Sequence, residues 1–413
     1  MRLTILSSLL LLFILTSCFQ SRKVIKDNFT EKPIITEIAA PARAQKIKPG
    51  AERTGRYFGK LRQQQKRVAL VANHTSLIGQ THLADSILNS GINLVKIFTP
   101  EHGFRGYADA GQEFENERDA ETGLPIVSLY GKHKKPTPDD LQDIDIVVFD
   151  LQDVGVRFFT YISTMTLVME ACAENKLPIL ILDRPNPNGF YVDGPVLDTA
   201  NRSFVGMHPV PVVYGMTLAE YAEMVNEEGW LKGGVKCELD WVPCSHYTHK
   251  DFYELPVRPS PNLPNMNSII LYPTTCFFEG TKASVGRGTD FPFSVIGYPG
   301  LIGGNITFTP VSRSGALNPP YKDQLCNGFD YRDSVISIKE NPRLRIQWII
   351  DMYKADTSQS SFFTSYFIKL AGTKQLQQQI TEGMDESTIR ESWEAPLREF
   401  LDKREKYLIY KDF

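Results

Sequence analysis

The chain has 413 residues, with 45 Lys and Arg against 48 Asp and Glu, 42% hydrophobic residues and six cysteines. One hydrophobic core stops growing near roughly 250–300 residues, so two folded units are expected. The composition excludes collagen, coiled coil and disorder, the cysteines are too few for a disulfide scaffold, and a net charge of −3 excludes the basic surplus that drives nucleic-acid binding.

The first residues read as an address. Arg2 precedes an apolar run from Leu3 to Leu15, shorter than the ~20 residues that a bilayer span requires. It closes on Leu15-Thr16-Ser17-Cys18, which resembles the lipobox of bacterial lipoproteins. Residues 1–17 are therefore expected to be a signal peptide and Cys18 a lipidated membrane anchor, an ordinary cleaved secretory signal being the alternative. Residues 18–55 mix charge with proline and show no apolar period, which reads as a tether. No acidic run follows Cys18, so the periplasmic face of the outer membrane is the expected location. Cys172, Cys237, Cys244, Cys276 and Cys326 read as buried and structural, although Cys237 and Cys244 are close enough in sequence to pair.

Further on, apolar runs alternate with helical stretches. Strands are expected at Val68 to Ala72, Leu94 to Thr99, Ile144 to Phe149 and Pro178 to Leu182, with helices at Thr81 to Ser90 and Tyr161 to Asn175. Continuous apolar strands separated by helices imply a parallel sheet buried on both faces. In such a sheet the ligand lies beyond the carboxyl ends of the strands. Those ends carry Asn73-His74-Thr75-Ser76, then Glu101-His102-Gly103-Phe104-Arg105, then Asp150-Leu151-Gln152-Asp153 with Arg157, and finally Asp183-Arg184-Pro185-Asn186. Four polar ends in four strands favour a polar-ligand site over a solvated rim. Nucleotide-binding and serine-hydrolase patterns are absent, since no glycine-rich phosphate loop opens the first helix and no Gly-x-Ser-x-Gly elbow is present. His246 and His249 sit beside Pro243 in a loop, so neither a metal nor a cofactor is expected.

In the second half, Thr217 and Glu220 have capping-box spacing. Pro259-Ser260-Pro261-Asn262-Leu263-Pro264-Asn265 must be a loop, of the rigid kind that carries binding groups beside a cleft. Gly286 and Gly288 flank Arg287, which suggests a backbone close to a ligand. Helices are expected at Arg343 to Lys354, Ser361 to Leu376 and Glu386 to Tyr407, the last kinked or split at Pro396. The aromatic stripe Phe362, Phe363, Tyr366 and Phe367 reads as core.

These motifs, together with Glu279-Gly280-Thr281, Gly286-Arg287-Gly288-Thr289-Asp290 and Tyr407-Leu408-Ile409-Tyr410, resemble one family throughout, the domain of unknown function 1343, similar to NamZ-type exo-β-N-acetylmuramidases. The resemblance covers nearly everything after the tether. It implies an α/β fold, with a Rossmann-like N-terminal domain (residues 56–215), a smaller α/β domain (216–413) and an active cleft between them. It also implies release of N-acetylmuramic acid from the non-reducing end of peptidoglycan fragments during cell-wall recycling. One departure is Val285, where some members carry Glu. A lipid-anchored glycan-binding protein without turnover, or a glycosidase for another amino sugar, are the alternatives.

Glycoside hydrolysis requires a proton donor and usually a second carboxylate. Glu101 is the preferred donor, as the resemblance also implies. Asp153 is the preferred second group, with Asp183, Glu279 and Asp290 as other options. Arg105, Arg157 and Arg287 suit the lactyl carboxylate of the sugar. Asn73, His74, His102, Tyr161, Arg184 and Asn186 complete the expected substrate-binding set.

Overall fold

A computed structural model describes residues 46–101, 103–105 and 117–413. The signal peptide, Cys18, the tether up to residue 45 and His102 lie outside the described residues.

Seven strands form the main sheet: β1 (Val68–Ala72), β2 (Leu94–Thr99), β3 (Glu117–Arg118), β4 (Pro125–Ser128), β5 (Ile146–Asp150), β6 (Ile179–Leu182) and β7 (Leu239–Val242), in the order β3-β4-β2-β1-β5-β6-β7. Six run parallel, and the short edge strand β3 is antiparallel to β4. Side chains alternate between faces along a strand, which divides β1 between two cores. Val68, Leu70 and Ala72 pack with Leu61 of α1 (Phe58–Gln63) and with Leu83 and Ile87 of α2 (Leu83–Asn89). Ala69 and Val71 share the opposite core with Met165 and Val168 of α3 (Tyr161–Glu174) and Val225 of α4 (Leu218–Glu227). The chain moves from β1 through β2 to β4 on one side, then returns to place β5 on the other side of β1. A crevice opens where the order reverses, beyond the ends of β1 and β5.

The sheet draws β7 from beyond residue 215, so the first unit continues past the boundary expected from sequence. After α5 (Met266–Thr275) comes a smaller antiparallel sheet, β8 (Val295–Tyr298), β9 (Ile306–Phe308) and β10 (Cys326–Asp330), in the order β8-β10-β9. Five helices follow: α6 (Ser334–Glu340), α7 (Ile346–Ala355), α8 (Tyr366–Ala371), α9 (Gln375–Thr381) and α10 (Glu386–Arg404).

Four expectations change. Residues 48–55 are fixed to the body rather than extending the tether, because Lys48 bridges Ser245, the Gly50 amide donates to the Asp183 carbonyl (2.7 Å) and Arg53 donates to the Pro243 carbonyl (2.7 Å). The helix expected from Ser361 to Leu376 is two, since α8 stops at Gly372, which adopts φ 73°. Conversely α10 runs unbroken through Pro396, held by Ile389, Trp393 and Phe400 on its buried face. Cys237 and Cys244 do not pair, and all five described cysteines are buried free thiols.

The capping box forms as spaced: the Thr217 amide donates to Glu220 Oε2 (2.8 Å). Glu220 Oε1 also binds a distant segment, accepting from the amides of Ile409 (2.8 Å) and Tyr410 (3.2 Å). The Tyr410 hydroxyl donates to Asp183 Oδ2 at 2.5 Å. The segment after α10 thereby straps the second domain to the turn that follows β6.

Candidate active site

A solvent-open cleft lies between the two domains. Glu101 enters it from the end of β2, and Phe158, Phe159 and Tyr161 from the connection between β5 and α3. Ser260 and Asn262 come from the proline-rich loop, while Tyr272, Arg287 and Phe293 form the wall on the second domain.

Glu101 follows Pro100, which closes β2, so the chain leaves the sheet there and the carboxylate is held at the rim. Beside it, Tyr161 opens α3 and is only 2% exposed. Burial, together with the nearby Glu101 charge, holds the Tyr161 phenol well above its ordinary pKa, so it keeps its proton. Across the cleft, Arg287 Nε donates to Glu279 Oε1 (2.8 Å) and the guanidinium lies 5.0 Å from the centre of the Phe293 ring. Burial works against its charge, but the Glu279 carboxylate outweighs that and keeps the guanidinium firmly protonated. The glycines flanking Arg287 serve the protein rather than a ligand. A Cβ on Gly286 would meet Val295 Cγ2 at 2.7 Å, and one on Gly288 would meet the Val311 carbonyl at 2.5 Å.

Two residues from the polar end of β1 support the cleft from behind. Asn73 Nδ2 donates to the Tyr161 hydroxyl (2.8 Å). His74 Nε2 donates to the carbonyl of Arg258 (2.8 Å), at the start of the loop that carries Ser260 and Asn262.

Other expected site residues lie elsewhere. Asp153 does not line the cleft: its Oδ2 accepts from the Gly155 amide (2.6 Å) and from the Tyr214 hydroxyl, and burial pushes its carboxyl up to about 7. Arg157 is fully buried and donates to the carbonyls of Pro195, Val210, Leu370 and Ala371 at 2.6–2.9 Å, which caps the end of α8. Burial lowers its pKa to about 9. Arg184 forms a bidentate pair with Asp150 (2.6 and 2.8 Å). Asp183 accepts from the Ala219 amide as well as from Tyr410, and burial raises it to about 6. Asn186 donates to the Met216 carbonyl (2.8 Å). Arg105 is held by Asp119 (2.9 and 3.1 Å) and Glu121 (3.2 Å), and Asp290 pairs with Arg313 at the surface. Each is held by partners within its own chain, although Asp153 Oδ1 and Arg157 Nε are buried without a hydrogen bond among the described residues.

Sequence reasoning missed Phe158, Phe159, Tyr272 and Phe293 on the cleft lining, and Tyr366 near it. Tyr272 sits on α5, whose start is marked by Asn265 and Ser268: the Ser268 amide donates to Asn265 Oδ1 (3.0 Å). That capping signal was readable, but Pro273 argues against a helix. Tyr366 comes from the aromatic stripe, in which Phe362 and Phe367 are core. Burial raises its pKa, with further contributions from Cys276, Glu279 and Glu101, so its hydroxyl belongs to the same electrostatic neighbourhood. Val285 is 3% exposed and packed in the core, its carbonyl accepting from the amide of Phe293 (2.7 Å), so the departure noted in sequence lies directly behind the cleft wall.

Five aromatic side chains, a carboxylate and a guanidinium form a setting for an anionic sugar, with apolar ring faces for its ring and charged groups for its polar ends. The comparisons agree with that chemistry. Residues 68–267 match the family model for the N-terminal part of exo-β-N-acetylmuramidase NamZ, and residues 270–410 match that for its C-terminal part. The peptidoglycan β-N-acetylmuramidase NamZ of Bacillus subtilis (strain 168) is 39% identical over 367 residues, covering 84% of this chain and 87% of the relative. A crystal structure of a DUF1343 family protein from Bacteroides fragilis NCTC 9343 superimposes with a TM-score of 0.82 at 43% identity, covering 89% of this chain and 100% of that one. A second protein of that family and organism gives a TM-score of 0.73 at 28% identity, with the same coverage. A parallel sheet with flanking helices, followed by a smaller domain with an antiparallel sheet, is thus shared along nearly the whole length, and the chain belongs to the NamZ (DUF1343) family of glycoside hydrolases.

Proposed function

We propose that this protein is an exo-β-N-acetylmuramidase that releases N-acetylmuramic acid from the non-reducing end of peptidoglycan fragments, in cell-wall recycling. The observation that carries this reading is Glu101 and Arg287 facing one cleft from opposite domains, in a chain whose relative acts on peptidoglycan. Glu101 donates its proton to the glycosidic oxygen as the bond to the anomeric carbon breaks, and water supplies the hydroxyl of the released sugar. Arg287 receives the lactyl carboxylate, the group that distinguishes this sugar from N-acetylglucosamine. Chromogenic muramide and glucosaminide substrates test this. Release from the muramide alone is expected, release from the glucosaminide alone assigns another sugar, and release from neither favours the glycan-binding alternative.

The same proposal places the protein in the bacterial envelope, anchored through lipidated Cys18 on the periplasmic face. Cys18→Ser should move it from the membrane to the soluble fraction of cell extracts. Unchanged fractionation would remove the anchor from the proposal.

A further inference from the structure

Asn73 is fully buried at the end of β1, and its amide is held in one orientation. Its Oδ1 lies 2.9 Å from the Thr75 amide nitrogen and 2.6 Å from Thr75 Oγ1. A backbone N–H only donates, so the atom facing it must be the oxygen. Thr75 Oγ1 itself accepts from the Gln152 amide (3.2 Å) and turns its hydrogen to Asn73. The Asn73 backbone is fixed as well, because its amide donates to Ser76 Oγ (3.1 Å) and its carbonyl accepts from His82 Nε2 (3.0 Å). Nδ2 is therefore the group left 2.8 Å from the Tyr161 hydroxyl, and Nδ2 has no lone pair to accept with. The phenol oxygen must accept. Its own hydrogen then has no acceptor among the described residues, on a ring that lines the cleft beside Glu101.

We propose that Asn73 is a positioning residue that sets the polarity of Tyr161, aiming its O–H into the cleft as a donor to an oxygen of the bound sugar. This rests on the hydrolase reading above and adds to it a fixed neutral donor opposite Arg287. The titratable groups around the pair are Glu101, Asp153 and His82. A new charge at Asn73→Asp acts on these groups in the presence and absence of the Tyr161 hydroxyl, so the variant combined with Tyr161→Phe is the control for their titrations.

Tyr161→Phe removes the donor, and kcat/KM on the chromogenic muramide should fall about tenfold, the size of one hydrogen bond. Asn73→Asp has nearly the same shape but reverses the polarity. An ionised carboxylate accepts, which turns the Tyr161 hydrogen away from the cleft, whereas the protonated acid donates again. Its activity relative to wild type should therefore fall about tenfold at pH 8, recover toward wild type near pH 5, and fall no further when combined with Tyr161→Phe. A structural role for Asn73 gives a ratio flat with pH and a cost undiminished in the Tyr161→Phe background, and that result overturns the proposal. Tyr161→Phe keeps the ring and carries the test alone if Asn73→Asp does not fold, because an unchanged kcat/KM is equally fatal. Wild-type protein that releases no sugar overturns the hydrolase reading instead. The hydroxyl's direction is then tested by the affinity of Tyr161→Phe for N-acetylmuramic acid, where tenfold weakening supports it and no change overturns it.

Discussion

Arg157 and Arg287 are the same side chain in opposite circumstances. Arg157, four residues before Tyr161, is sealed inside the protein and gives its terminal nitrogens to four carbonyls, two of them at the end of a helix in the other domain. Arg287 stands on the cleft wall, held on one side by Glu279, with Nη1 unpartnered among the described residues. Asp153 and Glu101 differ in place as well, the first buried away from the cleft and the second on its lining. A polar group at a strand end is structural when its own chain satisfies it, and is available for chemistry when the fold holds it in place but leaves part of it exposed.

The sharpest way to break this division is Glu101→Gln. Loss of a proton donor should lower kcat by 10²–10⁴-fold while the melting temperature stays nearly unchanged. Near-normal turnover would move Glu101 to the structural class. Arg157→Met should act in the opposite way. Four carbonyls lose charged donors, so urea denaturation should show a stability loss of about 3 kcal/mol or more. A stable Arg157→Met protein with a raised KM would place that guanidinium at the substrate. Arg287→Ala should raise KM for the muramide by roughly 10–100-fold, as expected for a lost charge-assisted bond, with little change in unfolding.

A further effect concerns Asp153. Burial pushes its carboxyl up to about 7 in the folded protein, from an ordinary value near 3.8. The folded state thus holds a proton that the unfolded chain has lost between these values, and stability declines as pH rises through that window, by at most about 1.4 kcal/mol per pH unit. Asp153→Asn should flatten that decline in a series of denaturation curves from pH 4 to 7. An identical slope in both proteins would show that the carboxyl is ionised throughout.

The central strands were legible because a parallel sheet buried on both faces leaves an unbroken apolar run, as in Val68 to Ala72. Thr217 and Glu220 were legible because a capping box is a local pattern. Pro125–Ser128 and Leu239–Val242 were not, being only four residues each with no long apolar run around them. The site divided in the same way. Local sequence marks which turns are polar, and so Glu101, Tyr161 and Arg287 were identified. It does not show which turns face each other, which depends on contacts such as that of Arg157 with Leu370, 213 residues away. Arg157, Arg184 and Asp183 therefore looked like ligand groups until their partners were known.

The strap at Tyr410 also has a meaning in time. Asp183 and Tyr410 are separated by 227 residues, and a ribosome adding about 5–20 residues per second makes the second roughly 10–45 s after the first. During that interval Asp183 lacks its phenol and Glu220 lacks the amides of Ile409 and Tyr410. The turn after β6 cannot reach its finished state until synthesis of the chain is nearly over.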